Sequence, residues 1–246
     1  MDYIEQQDWD GIDGFLKRFQ NAVYKLKYTP VPVVGAPSGL AAGGGFEVLA
    51  HCDKLVAHSN SVMGLVESGV GVVPSGGGVK ETFLRWFNTT NSWEDAAWKT
   101  WMNLGYGATG SSPELASKLQ YFREGHDEVV MNRDRLLSRA ISIIGEMQDS
   151  YITPRKPFIQ LANKNLSEKM DEFMQAGVDR GDFMPHDKTV ALTIGAIMLN
   201  DTDHDGHCDE TAFFERERRA FISLAKTKET YARISSMLDN GSPIRN

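Results

Sequence analysis

The chain has 246 residues, 41% of them apolar and 24% charged, and carries a formal net charge of −7. That length allows one good core and a smaller second unit. A mildly acidic balance argues against nucleic acid or an anionic membrane as the main partner, while leaving room for a local basic pocket for a phosphorylated cofactor.

From the N-terminus, Met-Asp-Tyr-Ile-Glu has none of the basic, apolar or cleavage features of a targeting segment. Residues 10 to 27 have helical spacing: Phe15, Phe19 and Val23 recur at i, i+4, i+8, with Leu16 and Leu26 beside them. Pro30 and Pro32 end that pattern, and Val33-Val34-Gly35-Ala36 predicts a short buried strand. Gly43-Gly44-Gly45 then opens a helix through Glu47, Leu49 and Ala50. Lys54-Leu55-Val56-Ala57 predicts a second strand. A loop holding Glu67 and Pro74 leads to Gly76-Gly77-Gly78, which opens a helix through Phe83 and Trp86. Strand, glycine turn and helix repeating in this way is the rhythm of an α/β unit.

From about residue 92 the pattern is almost wholly helical. One stripe is Leu136, Ala140, Ile143, Ile144 and Met147; another is Met170, Phe173, Met174 and Val178; a third is Phe213, Phe214, Phe221 and Leu224. Pro154 and Pro157 mark a break, and there is no internal repeat. The longest apolar run, 190 to 199, is too short to cross a membrane. Cys52 and Cys208 fit no disulfide or metal framework, so a reducing cytoplasm is the expected compartment.

The first glycine triplet is the best candidate site. Three glycines cost conformational entropy and serve where the backbone turns tightly and lets a ligand approach. A helix N-terminus leaves amide N–H groups unpaired, and such an amide can hold a developing oxyanion. Glu47, three residues after Gly44, lies within one turn of that amide. A plain strand-to-helix turn with a surface glutamate satisfies the same pattern. Neither a Walker loop nor the G-x-G-x-x-G dinucleotide spacing is present.

The segment from Pro32 to Gly78, PVVGAPSGLAAGGGFEVLAHCDKLVAHSNSVMGLVESGVGVVPSGGG, resembles the signature of the crotonase (enoyl-CoA hydratase/isomerase) superfamily. The matching positions are Pro32-Val33-Val34, Gly39, Gly43-Gly44-Gly45, Glu47, Cys52-Asp53, Ala57, Glu67, Gly71, Pro74 and Gly76-Gly77-Gly78. The resemblance implies a partial crotonase-type ββα spiral and a coenzyme A thioester as substrate. It makes the Gly44 amide, beside Gly43, one of two oxyanion donors. It places Glu47 and Glu67 on the two catalytic glutamates of true hydratases. Having both favours hydration, with Glu47 as base toward water and Glu67 as proton donor to C2 of the enoyl chain. Pro74-Ser75 stands where relatives often have Pro-Gly; serine keeps a backbone N–H for water and adds a hydroxyl.

The family's first oxyanion loop has no counterpart before Pro32. The expectation is therefore the C-terminal portion of a crotonase domain over residues 1–125 and a helical extension over 126–246, with an exposed sheet edge and little hydratase activity alone. Residues 126–140, HDEVVMNRDRLLSRA, and 215–246, ending Gly-Ser-Pro-Ile-Arg-Asn, resemble the tail of bifunctional bacterial 3-hydroxyacyl-CoA dehydrogenases that carry the crotonase domain last. By that resemblance NAD belongs only to the dehydrogenase part of such a parent, fatty-acid β-oxidation is the setting, and no cofactor is expected in this chain. A homo-oligomer is expected by analogy with crotonase trimers. An enoyl-CoA isomerase using one glutamate and a non-catalytic assembly piece are the rival readings.

Other residues invite chemistry. Asp201, Asp203 and Asp205, followed by Gly206, resemble the opening of an EF-hand calcium loop, although the twelfth position is Ala212 and not glutamate. His204, His207 and Cys208 are too closely spaced to close a tetrahedral metal site readily. His51, Cys52 and Asp53 suit packing and turn roles. Trp86, Trp93, Trp98 and Trp101 suit core or interface packing.

Overall fold

The computed structural model describes residues 1–200 and 206–246; the calcium-loop candidates Asp201, Asp203 and Asp205, and His204, lie outside the described residues. The chain opens with α1 (Asp2–Glu5) and α2 (Trp9–Lys27), whose N-cap Asp8 accepts from the Gly11 amide. The buried stripe of α2 is Ile12, Leu16, Gln20 and Val23, so Phe15 is turned outward and Phe19 lies at the stripe's margin. A glutamine can occupy that stripe because its amide donates to the carbonyls of Ser75 and Phe214 at 2.7 and 3.0 Å.

The strands are short. β1 (Val34–Gly35) and β2 (Leu40–Ala42) precede α3 (Gly44–Ala50), and β3 (Lys54–His58) and β4 (Val62–Gly64) follow it. A 3-10 turn, Glu67–Val70, leads to α4 (Gly78–Thr90) and α5 (Trp93–Gly105). Next come β5 (Thr109–Gly110), α6 (Pro113–Ser117), β6 (Glu128–Val130) and α7 (Leu136–Gln148). The remainder is β7 (Ile159–Gln160), α8 (Leu166–Arg180), α9 (Pro185–Met198), β8 (His207–Cys208), α10 (Glu210–Ala225) and α11 (Lys228–Asn240).

Two three-stranded sheets result. β3 lies between β1 and β6, parallel to both; β4 lies between β2, which is parallel to it, and β5, which is antiparallel. β1 and β2 each have one hydrogen-bonded neighbour among the described strands, and Leu40 on β2 is 78% exposed. β6 interrupts the helical pattern expected after residue 92. Three residues are too few to show a period of two, and they extend because β3 offers a ladder and Lys54 pairs with Glu128 at 2.8 Å.

One apolar cluster joins Phe46, Leu55, Met63 and Phe83 to Trp101, Ile194, Phe213 and Leu224, so residues on both sides of position 125 share a core. Trp101 donates to the Ala191 carbonyl at 2.7 Å and packs on Trp98 and Phe173; Trp93 stacks on Phe87. The tryptophans thus bind α4 and α5 to α8 and α9. Among the described residues no helix is long and apolar enough to cross a membrane.

Candidate active site

The site forms where two glycine turns meet, one at the end of β2 and one after the Glu67–Val70 turn. β2 stops at Ala42, and Gly43 takes φ +58, a left-handed value that glycine adopts without strain. The Gly43 amide donates to the Gly64 carbonyl at the end of β4, at 2.9 Å. α3 then starts at Gly44. Gly44 and Gly45 are solvent-exposed, and as first-turn residues their amides have no acceptor inside the helix.

One turn later Glu47 points inward and is 3% exposed. Its Oε1 accepts two amides from the second glycine turn, Gly76 N–H at 2.7 Å and Gly78 N–H at 2.8 Å. This grip requires glycine at both positions. A Cβ on Gly76 would lie 2.6 Å from Glu47 Oε2, and one on Gly78 would lie 2.8 Å from Oε1. Burial raises the Glu47 carboxyl to about 7, against the opposing pull of the two amides.

Glu67 begins the 3-10 turn after β4. Its Oε1 lies beside Gly43, 3.1 Å from where a Cβ would stand. Oε2 is buried and finds no hydrogen-bond partner among the described residues. Burial and then the charge of Glu47 push this carboxyl up to about 8. The turn is anchored from behind: Gly71, at φ +84, offers its carbonyl to Thr230 of α11, and His186 of α9 pairs with the same hydroxyl. The structure therefore brings Gly43, Gly44, Glu47 and Glu67 to one place.

Pro74 and Ser75 lie on the same turn, but their part is different from that of their neighbours. The amides that reach Glu47 are those of Gly76 and Gly78, whereas Ser75 lends its carbonyl to Gln20. Phe19 covers the pair: its ring approaches to 3.8 Å of a Cβ position on Gly44 and occupies the space a side chain on Gly76 would need. An open cleft of about 470 Å³ lies beside the Glu67 turn; Val66, Ser68 and Gly69 line it with Trp101, Tyr106 and Phe183, and Glu67 itself does not.

Several participants left no local mark in the sequence. Glu217 of α10 accepts Gly77 N–H at 2.8 Å and Lys80 N–H at 2.9 Å, so it reaches the same glycine turn from 140 residues away. Tyr121 packs edge-on against Phe46, and its phenol is raised by burial and then by the charge of Glu67. Beneath the turn lies a buried ionic cluster: Lys80 pairs with Glu210 and Glu81 at 2.5 and 3.0 Å, and Lys27 pairs with Glu81 at 2.7 Å. Tyr28 closes it with a hydrogen bond to Glu210.

His51 sits against this cluster with Nδ1 on the Glu47 carbonyl at 2.7 Å, and burial lowers it to about 4, so the ring is neutral and packed. The Cys52 thiol is raised to about 11 by burial, which removes its nucleophilic form at neutral pH. Asp53 holds the Val33 amide at 2.8 Å and the Tyr151 hydroxyl, a role in chain entry to β1.

Residues 5–86 match the family described as Enoyl-CoA hydratase/isomerase. Over 248 residues the chain is 30% identical to a protein of Bacillus subtilis (strain 168) named "Probable 3-hydroxyacyl-CoA dehydrogenase"; the match covers 99% of this chain and 31% of that protein. The chain thus spans about a third of the length of that relative. Among solved structures, a carnitinyl-CoA hydratase from Mycobacterium avium superposes with a TM-score of 0.51 at 18% identity, over 87% of this chain and 62% of that one. An enoyl-CoA hydratase from Bacillus anthracis gives 0.47 at 16% identity, over 96% and 70%. The family match is confined to residues 5–86, and the likeness to the M. avium structure is one of mixed α/β fold.

Proposed function

We propose that the site performs enoyl-CoA hydratase chemistry, adding water to a 2-enoyl-CoA thioester. One observation carries the reading. Two buried carboxyls meet at the glycine turn, Glu47 fixed by two amides and Glu67 with an unpartnered oxygen.

In this reading the thioester oxygen faces the Gly44 amide, which stabilises the charge that grows there as the enolate forms. A water lies between the carboxyls. Glu47 takes a proton from it as its oxygen bonds to C3. The electron pair of the C2–C3 double bond moves onto the thioester, and Glu67 delivers a proton to C2. Water has been added, Glu47 holds a proton and Glu67 has lost one, and transfer from Glu47 to Glu67 restores the pair. The raised carboxyls suit these roles, because the pair must share one proton near neutrality and Glu67 is the higher of the two.

The product, a 3-hydroxyacyl thioester, is the substrate class in the name of the B. subtilis relative. That supports a place in fatty-acid β-oxidation, with any nicotinamide chemistry carried by a dehydrogenase part.

The test is loss of enoyl absorbance from a short 2-enoyl-CoA, followed with the wild type, Glu47→Gln and Glu67→Gln. Either substitution is expected to reduce hydration by about 10²- to 10⁴-fold. Migration of the double bond without hydration, surviving one of the two substitutions, would establish the isomerase instead. Absence of saturable acyl-CoA binding by calorimetry would leave only an assembly role.

A further inference from the structure

We propose that Glu217 is a positioning residue for the carboxylate pair: from α10 it clamps alternate amides of the glycine turn that holds Glu47. The geometry is interleaved. Gly76 and Gly78 donate to Glu47, while Gly77 and Lys80 donate to Glu217, at 2.7 to 2.9 Å throughout. Four donors within five residues of one helix start are divided between two buried carboxyls. Glu217 is 0% exposed, and its two oxygens take one amide each.

The turn is held from the same side at further points. Gln20 bridges the Ser75 and Phe214 carbonyls, and Arg218 fixes Gln20 at 2.6 Å. Gly77 stands at φ +98 with His51 and Phe214 where a side chain would go. While Glu217 holds it, the turn cannot move away from α10, which keeps the Gly76 and Gly78 amides in place for Glu47.

Burial and then the charge of Glu47 raise the Glu217 carboxyl well above its ordinary value. The charged groups acting on it are Glu47 of α3 and Lys80 of α4. The other groups nearby are otherwise engaged. Lys27, Glu81 and Glu210 are ion-paired, His51 is neutral, and Tyr28 is bonded to Glu210. From α9 and α11, His186 is on Thr230 and Arg233 is on Asp187.

The experiment follows backbone amide shifts by NMR against pH. The amides of Gly76 and Gly78 report Glu47, and those of Gly77 and Lys80 report Glu217. Glu217→Leu removes the clamp, so Glu47 loses amide support and its midpoint is expected to rise by about one pH unit, a tenfold gain in proton affinity. Glu217→Gln keeps one of the two acceptor oxygens, and its midpoint should lie between those of the wild type and Leu. Equal midpoints in all three proteins would overturn the proposal, as would a Gln midpoint displaced as far as that of Leu.

Should the Leu variant not fold, the wild type still decides. Its Gly77 and Lys80 amides should be protected from hydrogen exchange as those of Gly76 and Gly78 are, and fast exchange at both would refute the clamp. The kinetic arm rests on the hydratase reading: the acid limb of the hydration profile should move up further in Leu than in Gln. A midpoint shift without any hydration defeats that reading and leaves the clamp standing. Hydration without a midpoint shift does the reverse.

Discussion

The two glycine triplets look alike in sequence and have opposite fates. Gly43-Gly44-Gly45 opens a helix whose first two residues, Gly44 and Gly45, are solvent-exposed. Gly76-Gly77-Gly78 opens a helix inside the protein, and each of its amides ends on a carboxylate, Glu47 or Glu217. A bare run of glycine therefore marks a place where amides are presented; the burial around it decides whether a ligand or the protein's own acid accepts them. Glu47 belongs to both turns, since it grows from the open one and is gripped by the closed one.

The sharpest way to break this comparison is Gly76→Ala. Its Cβ would stand 2.2 Å from the Phe19 ring and 2.6 Å from Glu47 Oε2. Overpacking of a buried position typically costs about 1–3 kcal/mol, and displacement of Glu47 from its amides adds to it. Urea unfolding should show a loss at or beyond the top of that range. Hydration should fall together with stability, because the same contact sets both. An alanine tolerated there at wild-type stability would mean that the closed turn is looser than its hydrogen bonds indicate.

A second effect appears in pH dependence. Glu47 and Glu67 sit at about 7 and about 8, above the ordinary 4.5, so the folded protein keeps protons that the unfolded chain releases. The stability this contributes is full below the unfolded value and is lost as pH rises through 7 and then 8. Glu81, Asp127 and Glu210 act with the opposite sign. Their ion pairs hold them below the ordinary range although burial opposes this, and their contribution is lost as pH falls. Replacing Glu67 by glutamine removes one group of the first kind. Relative to wild type, Glu67→Gln should gain on the order of 1 kcal/mol or more between about pH 5 and pH 9, measured by urea unfolding at both. On the hydratase reading proposed above, the rate should peak between about 7 and about 8, between the two steps of the carboxyl pair.

The open half of the comparison was legible from the sequence, and the closed half was not. Gly43 to Glu47 and Glu67 could be named because local spacing, helix-start physics and family resemblance all fall within 25 residues. The helix stripes at Leu136–Ile143 and Met170–Met174 were legible for the same reason, and they are buried as the spacing requires. Glu217 was hidden: in sequence it is one acid within Glu-Arg-Glu-Arg-Arg, and its neighbours Glu215 and Arg219 form a surface pair. Only the docking of α10 on α4 distinguishes it. β4 and β6, of three residues each, were hidden for want of a period. Phe15 and Phe19 share a spacing, yet one faces solvent and the other lies over the site. The register of α2 is set by Gln20 bonding to Ser75, which residue types alone do not reveal.

Phe19 offers a milder test, because its ring lies against Gly44 and Gly76, one in each turn. Phe19→Ala should uncover the pair without moving Glu47. The ring is only partly buried, so the expected stability loss is about 1–2 kcal/mol, below that of a fully buried phenylalanine. Hydrogen exchange at the Gly44 and Gly76 amides should then separate the turns. Gly44 should exchange faster once the ring is gone, and Gly76 should stay protected by Glu47. Equal acceleration at both would show that the ring, and not the carboxylate, closes the second turn.

The smallest effect is the most discriminating for the open turn. A Cβ on Gly45 meets nothing within 4 Å, and the residue is already helical. Alanine there should stabilise the protein by about 0.5 kcal/mol through the unfolded chain's lost freedom. If the exposed face of the triplet is exposed so that a thioester can lie against it, the same substitution should raise KM while leaving kcat within about twofold. Stability and substrate affinity would then move in opposite directions at one residue. A variant that gains stability and keeps its KM would show that the second sphere of that turn tolerates a side chain, and that substrate approaches Gly44 from the Gly43 side, where Glu67 waits.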